Sequence, residues 1–140
     1  MMTDGDRKGM SIVEEAESVI GKLSKDNKGE FKLTMTQLRK FLSAVISVKN
    51  KIDISKMKAL QEGREDFVLS DKEKKEVQFL EINLIYQMSR DSWVQEFGEH
   101  AKLKRKIREV ENSPGKFYAL CEYVEALVAV YKFMSKKQSN

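Results

Sequence analysis

Three times in this chain the same helix-start signal is written. Ser11 precedes Glu14, Thr34 precedes Gln37 and Ser70 precedes Glu73. In each, a hydroxyl can accept from a backbone N–H three residues on, while the later side chain reaches back to the cap. Thr36 is a second candidate cap for the middle one. Helical-period apolar residues follow each signal. Ile12, Val13, Ala16, Val19, Ile20 and Leu23 follow the first, and Leu38, Phe41, Leu42, Val45 and Val48 the second. Only one proline and seven glycines punctuate the 140 residues. The proline, Pro114, directly follows a capping serine, where it suits a first helical turn. No strand-like alternation of any length appears, and there is no internal repeat. These signals predict an all-α, single-domain bundle of about five helices. The helical domain spans residues 10–134, between a flexible N-terminus at 1–9 and a flexible basic tail at 135–140.

Within that frame, Lys25–Gly29 reads as a turn. From Lys51 to Leu69 two readings stand: Ile54, Met57 and Leu60 form a short helix stopped at Gly63, or the piece is a connecting loop. The helix that starts at Ser70 runs to about Arg90 with two apolar stripes, Val77, Leu80, Leu84 and Met88 on one side and Phe79, Ile82 and Tyr86 on the other. A helix apolar on both sides is expected at the centre of a bundle, the other option being that one side meets a partner. A fourth helix starts at Asp91 or Ser92, carries Trp93, Phe97, Leu103, Ile107 and Val110, and ends near Asn112. The last runs from Ser113-Pro114 to about Met134, with Phe117, Leu120, Cys121, Val124, Leu127, Val128 and Tyr131 as its stripe.

The inventory for catalysis is short. One cysteine, Cys121, excludes an internal disulfide and points to a reducing compartment. Its spacing places it in the core, where a thiol is inert. A single histidine, His100, with no nucleophile or second ligand nearby, reads as structural or solvent-exposed. No phosphate-binding glycine loop is present, and one Cys with one His makes no metal cluster. The residues therefore predict no catalytic site, no metal and no cofactor. With neither a signal peptide nor an apolar run long enough to span a bilayer, the expected location is the cytoplasm, without membrane contact.

Charge is more informative. The net +4 permits an anionic partner without demanding one. However, the stretch from Lys32 through Ile52 holds no acidic residue in a chain with 22 of them, and carries Lys32, Arg39, Lys40, Lys49 and Lys51. Arg39, Lys40, Ser43 and Ser47 fall opposite the apolar stripe, and Asn50 and Lys51 continue the row. A second cluster, Lys102, Lys104, Arg105, Lys106 and Arg108, is denser. Lys102, Arg105 and Lys106 face away from the apolar stripe there, as a merely solvated late-helix face would. Because the Phe and Tyr positions fall on apolar stripes, exposed rings for base stacking are not expected. Nucleic-acid contact should run to phosphate and sugar.

Two main segments, and a shorter one between them, carry a family resemblance. LTMTQLRKFLSAVISVKN, Leu33–Asn50, resembles the T-x-x-Q-[IL]-R-K-F-L motif of the small subunit of type III-A CRISPR (Csm) effector complexes. CEYVEALVAVYKF, Cys121–Phe133, resembles that family's C-terminal helix, and IYQMSRD, Ile85–Asp91, is similar to the end of its middle helix. One departure is visible, Val130-Tyr131 standing where the family reads Tyr-His. The resemblance implies a non-catalytic helical subunit, present in several copies that stack along guide RNA and single-stranded target RNA beside the other subunits. It makes Arg39 and Lys40 the first candidates for RNA-backbone contact, with Lys49 and Lys51 further along and Arg90 behind them. Lys102, Arg105 and Lys106 rest on charge alone. Two other readings remain: a helical protein-interaction adaptor without direct RNA contact, and an enzyme using His100 or scattered carboxylates.

Overall fold

The computed structural model describes residues 9–138, which form six helices. They are α1 Ile12–Gly21, α2 Met35–Gln61, α3 Asp71–Arg90, α4 Ser92–Ala101, α5 Leu103–Arg108 and α6 Pro114–Gln138. The fold is all-α. Among the described residues the one extended pairing is an isolated antiparallel bridge between Lys25 and Phe31. It closes the expected turn, where Asp26 Oδ1 accepts from the Lys28 and Glu30 amides and Gly29 takes φ +80°. The expected N-terminal segment lies outside the described residues except for Gly9, and Ser139 and Asn140 also lie outside them.

All three capping boxes form with both arms in place, and Thr34 rather than Thr36 caps α2. Ser113 opens α6 by accepting from the Lys116 amide at 3.1 Å. That helix continues to Gln138, past the expected end near Met134.

Residues 51–61 continue α2 without interruption and are neither a separate helix nor a loop. The core-facing row is Leu38, Val45, Ile52 and Ala59, one residue every two turns. Ile54, Met57 and Leu60, which suggested a separate element, are about 60% exposed on the other side. Gly63, at φ +76°, does provide the stop.

The expected fourth helix is two helices, broken at Lys102, which sits in the left-handed region at φ 55° and ψ 38°. The reason is a phase conflict. Val94, Phe97 and Ala101 are buried before the break, and Leu103, Ile107 and Val110 after it. At about 100° per residue an unbroken helix would turn those two sets to roughly opposite sides. One left-handed residue lets both face the same core, at a cost of order 1–2 kcal/mol. The Tyr123 hydroxyl donates to the Ala101 carbonyl at 3.0 Å, satisfying an acceptor the break leaves open.

α6 packs against α1, α2 and α5, and α3 against α2, α4 and α5. The enclosed place belongs to α6, where Phe117, Leu120, Cys121, Tyr123, Val124, Leu127 and Tyr131 are all buried. α3 is not central as expected. Its Val77, Leu80 and Leu84 stripe is buried, whereas Phe79, Ile82 and Tyr86 are 65%, 58% and 54% exposed. At the family departure, the Tyr131 hydroxyl donates to the Leu33 carbonyl and its ring lies 4.8 Å from that of Phe31. The C-terminal helix thereby clamps the segment that leads into α2.

Candidate nucleic-acid interface

α2 presents its acid-free face to solvent. Arg39, Lys40, Ser43, Ser47, Asn50 and Lys51 are all exposed, opposite the buried Leu38, Val45 and Ile52. The helix start sharpens the charge. α1 and α3 place carboxylates in their first turns, where the dipole favours them, but α2 has none. Its cap partner is the neutral Gln37, and Arg39 and Lys40 follow at once. The positive end of the helix dipole and two cations therefore add at one place.

Gln37 also fixes where that place lies. Its Oε1 accepts from the Thr34 amide at 2.9 Å, while its Nε2 donates to Asp91 Oδ2 at 2.8 Å. Asp91 in turn caps α4, accepting from the Trp93 and Val94 amides at 2.8 and 3.1 Å. Burial alone would raise the Asp91 carboxyl, but the bonds from Val94, Gln37 and Trp93 outweigh it and hold the group below its ordinary value. The knot joins the start of α2 to the end of α3, so Arg39 and Lys40 share one end of the molecule with Tyr86 and Arg90. Arg90 donates from Nη1 to the Tyr86 hydroxyl at 3.1 Å, with its guanidinium 5.2 Å from that ring's centroid.

The other candidate cations separate by what holds them. Lys49 is half-buried, 3.2 Å from Asp53 and 5.7 Å from the Tyr118 ring. The Tyr118 hydroxyl donates to the other Asp53 oxygen at 2.5 Å, so Lys49 belongs to an intramolecular network. Lys51 pairs with Glu76 on α3 at 3.0 Å but remains exposed. In the second cluster Lys106 does not face away from the protein. It is drawn onto α1 and α6, 3.0 Å from Glu15 and 4.4 Å from the Tyr123 ring centroid. Arg105 reaches Glu109 at 4.0 Å, and Arg108 reaches Glu81 at 2.7 Å. Lys102 forms the break itself. Arg39 and Lys40 have no ion-pair partner among the described residues, and Arg90 closes the helix whose end the Gln37–Asp91 bond ties to the start of theirs.

Sequence reasoning missed two exposed rings here, Phe79 and Tyr86. The signal was the second apolar stripe of α3, assigned to the centre of the bundle. The outward stripe joins Ala44, Ser47 and Val48 of α2 to form a shallow groove.

Among the described residues, Cys121 is buried and His100 exposed. Burial pushes the Cys121 thiol up to about 12. His100 is exposed beside Glu96 and Glu99. No group of described residues could hold a metal ion, and no helix among them is long and apolar enough to cross a membrane. Glu96 has a different task, binding the first turn to α4. Its oxygens accept from the Ser24 amide at 2.9 Å and the Ser24 hydroxyl at 2.6 Å. Burial would raise this carboxyl, yet the two Ser24 bonds and the nearby His100 lower it below its ordinary 4.5. A depressed folded-state value contributes stability above pH 4.5 that is lost as pH falls through the folded value. Glu96→Gln should therefore cost about 1–2 kcal/mol at neutral pH. It should also flatten the loss of stability on acidification, which urea melts across pH 3–6 would reveal.

A family model described as Csm2 Type III-A matches residues 6–137. The chain belongs to that family. It is 34% identical over 127 residues to the CRISPR system Cms protein Csm2 of Streptococcus thermophilus, covering 91% of this chain and 93% of that protein. It is 32% identical over 125 residues to the protein of the same name from Mycobacterium tuberculosis (strain CDC 1551 / Oshkosh), covering 89% and 92%. The Csm2 match thus spans all six helices except the last residue of α6. The two main segments that carried the resemblance are helical from Met35 on and throughout the second, with Arg39 and Lys40 on the exposed side of one and the clamp residue Tyr131 on the buried side of the other.

Proposed function

We propose that this Csm2-family chain, a small structural subunit of a type III-A CRISPR complex, contacts single-stranded target RNA and the guide strand through the outward face of α2. Arg39 and Lys40 supply the first phosphate contacts, and Arg90 and Lys51 extend them along the groove. The carrying observation is the pair of exposed cations without a carboxylate partner, set at the positive end of a helix whose outer face is free of acids. Such a surface attracts a phosphate backbone and reads no base edges, so sequence choice rests with guide pairing. In this reading the chain acts as a non-enzymatic part of a cytoplasmic ribonucleoprotein in antiviral defence.

Several copies stack along the RNA in this reading, beside the other subunits. The exposed Ile54, Met57 and Leu60 stripe, on the later turns of α2, supports a protein contact of that kind. Each copy then contributes few RNA contacts, and the array supplies the avidity.

The test is binding of the full-length chain, and of the effector complex containing it, to single-stranded RNA long enough for several copies. Affinity should fall steeply with salt and vary little with sequence. Salt-insensitive binding in both preparations would instead establish the adaptor reading, with no direct RNA contact.

A further inference from the structure

The phosphate-contacting face leaves the exposed apolar ridge of α3 unused. Phe79 and Tyr86 stand two turns apart on one ridge, roughly 10 Å along the axis, with Ile82 between them. Two ion pairs set what lies on either side. Lys51 of α2 binds Glu76, and Arg108 of α5 binds Glu81. Glu76 and Glu81 lie on opposite flanks of α3, so the ridge runs between two cation-bearing helices. Both flanking carboxylates are neutralised by those pairs. Tyr86 is held by Arg90, which bonds its hydroxyl and lies near its ring. Along the α2 side, Ala44 and Ser47 are small enough to let a strand come close.

We propose that Phe79 and Tyr86 form a stacking platform for unpaired bases of the RNA whose phosphates lie on α2. This rests on the RNA-contact reading above and extends it from the backbone to the bases. The occupant follows from charge and ring together. With the flanking carboxylates already paired, a single-stranded polyanion answers Arg90 and the unpaired α2 cations Arg39 and Lys40 with phosphates and the exposed rings with base faces, and every base has such a face. The platform is therefore tolerant of sequence, as the α2 face is. Its orientation is prepared, because the guanidinium of Arg90 restrains the Tyr86 ring before any base arrives.

Three strands of equal length separate the terms: oligoadenylate, which stacks strongly, oligouridylate, which stacks weakly, and an abasic ribose-phosphate oligomer with the same charge. The full-length chain is compared with Phe79→Ala, Tyr86→Ala and Tyr86→Trp. Both side chains are exposed, so folding should survive, as circular dichroism and melting would verify. Each alanine variant should weaken oligoadenylate binding by about 5- to 100-fold and oligouridylate binding by less. The salt slope should stay unchanged, the abasic strand should bind as before, and Tyr86→Trp should bind as well as the parent. Equal losses on the abasic strand, or no loss on oligoadenylate, would overturn the stacking platform. So would a loss confined to self-association in sedimentation, which would make the ridge a contact between copies. A parent that binds no strand in a salt-dependent manner, both as the full-length chain and within the effector complex, defeats the RNA-contact reading itself, whereas a binding parent with indifferent ring variants defeats the platform alone.

Discussion

Replacing Arg39 and Lys40 together by alanine should lower the magnitude of the salt slope for single-stranded RNA by about 1.4. The arithmetic is that of counterion release. Each phosphate neutralised on a single strand contributes roughly 0.7 to the slope, and two contacts are removed. At 0.1 M salt the same loss is a weakening of roughly 25-fold. Stability should barely change, because both side chains are exposed and neither bridges to a carboxylate among the described residues. Lys49→Ala supplies the contrast. It breaks the network with Asp53 and Tyr118, so it should shift the melting curve more than the salt slope. Titrations by fluorescence anisotropy at several salt concentrations check both statements. A double variant with the parental slope would remove α2 from the RNA path.

The largest effect on stability should come from Phe117→Ala. Phe117 is fully enclosed and heads the largest fully buried side chains, in the first turns of the helix that meets α1, α2 and α5. Truncation removes the transfer free energy of a ring and leaves a cavity in which a bundle of long helices relaxes only partly. The expected cost is about 3–5 kcal/mol. Against a typical total of roughly 5–15 kcal/mol, that is a large fraction of what a domain of this size has. The midpoint of urea unfolding should fall accordingly with the slope unchanged. A loss below about 1 kcal/mol would mean that α6 is not the helix on which the core is built.

How much of this was legible in the sequence varies by element, for physical reasons. Helix starts were legible because a cap is local chemistry: Ser11, Thr34 and Ser70 each bond within three residues of themselves. The break at Lys102 was not, because it resolves a conflict between two buried sets that exists only once a common core is present. Nothing about a lysine announces a left-handed residue. The length of α2 was hidden by Ile54, Met57 and Leu60, whose hydrophobicity drew attention away from Ile52 and Ala59, the residues that keep the core-facing row in phase.

The candidate interface was half legible. A side free of acids is visible in a sequence, and so is the row that carries Arg39 and Lys40. Which cations are already engaged is not, since Glu76, Glu15 and Glu81 approach Lys51, Lys106 and Arg108 from distant parts of the chain. The outward stripe of α3 was visible as a pattern, but its exposure depends on which helix the others surround.

The central claim is that RNA in the assembled complex passes over the early turns of α2. Lysine footprinting tests it most directly: the complex is acetylated with and without target RNA, and modification is read residue by residue. Target RNA should protect Lys40 strongly, while Lys102 and Lys104 should react equally in both samples. Unchanged reactivity at Lys40 together with protection across Lys102–Lys106 would contradict the account.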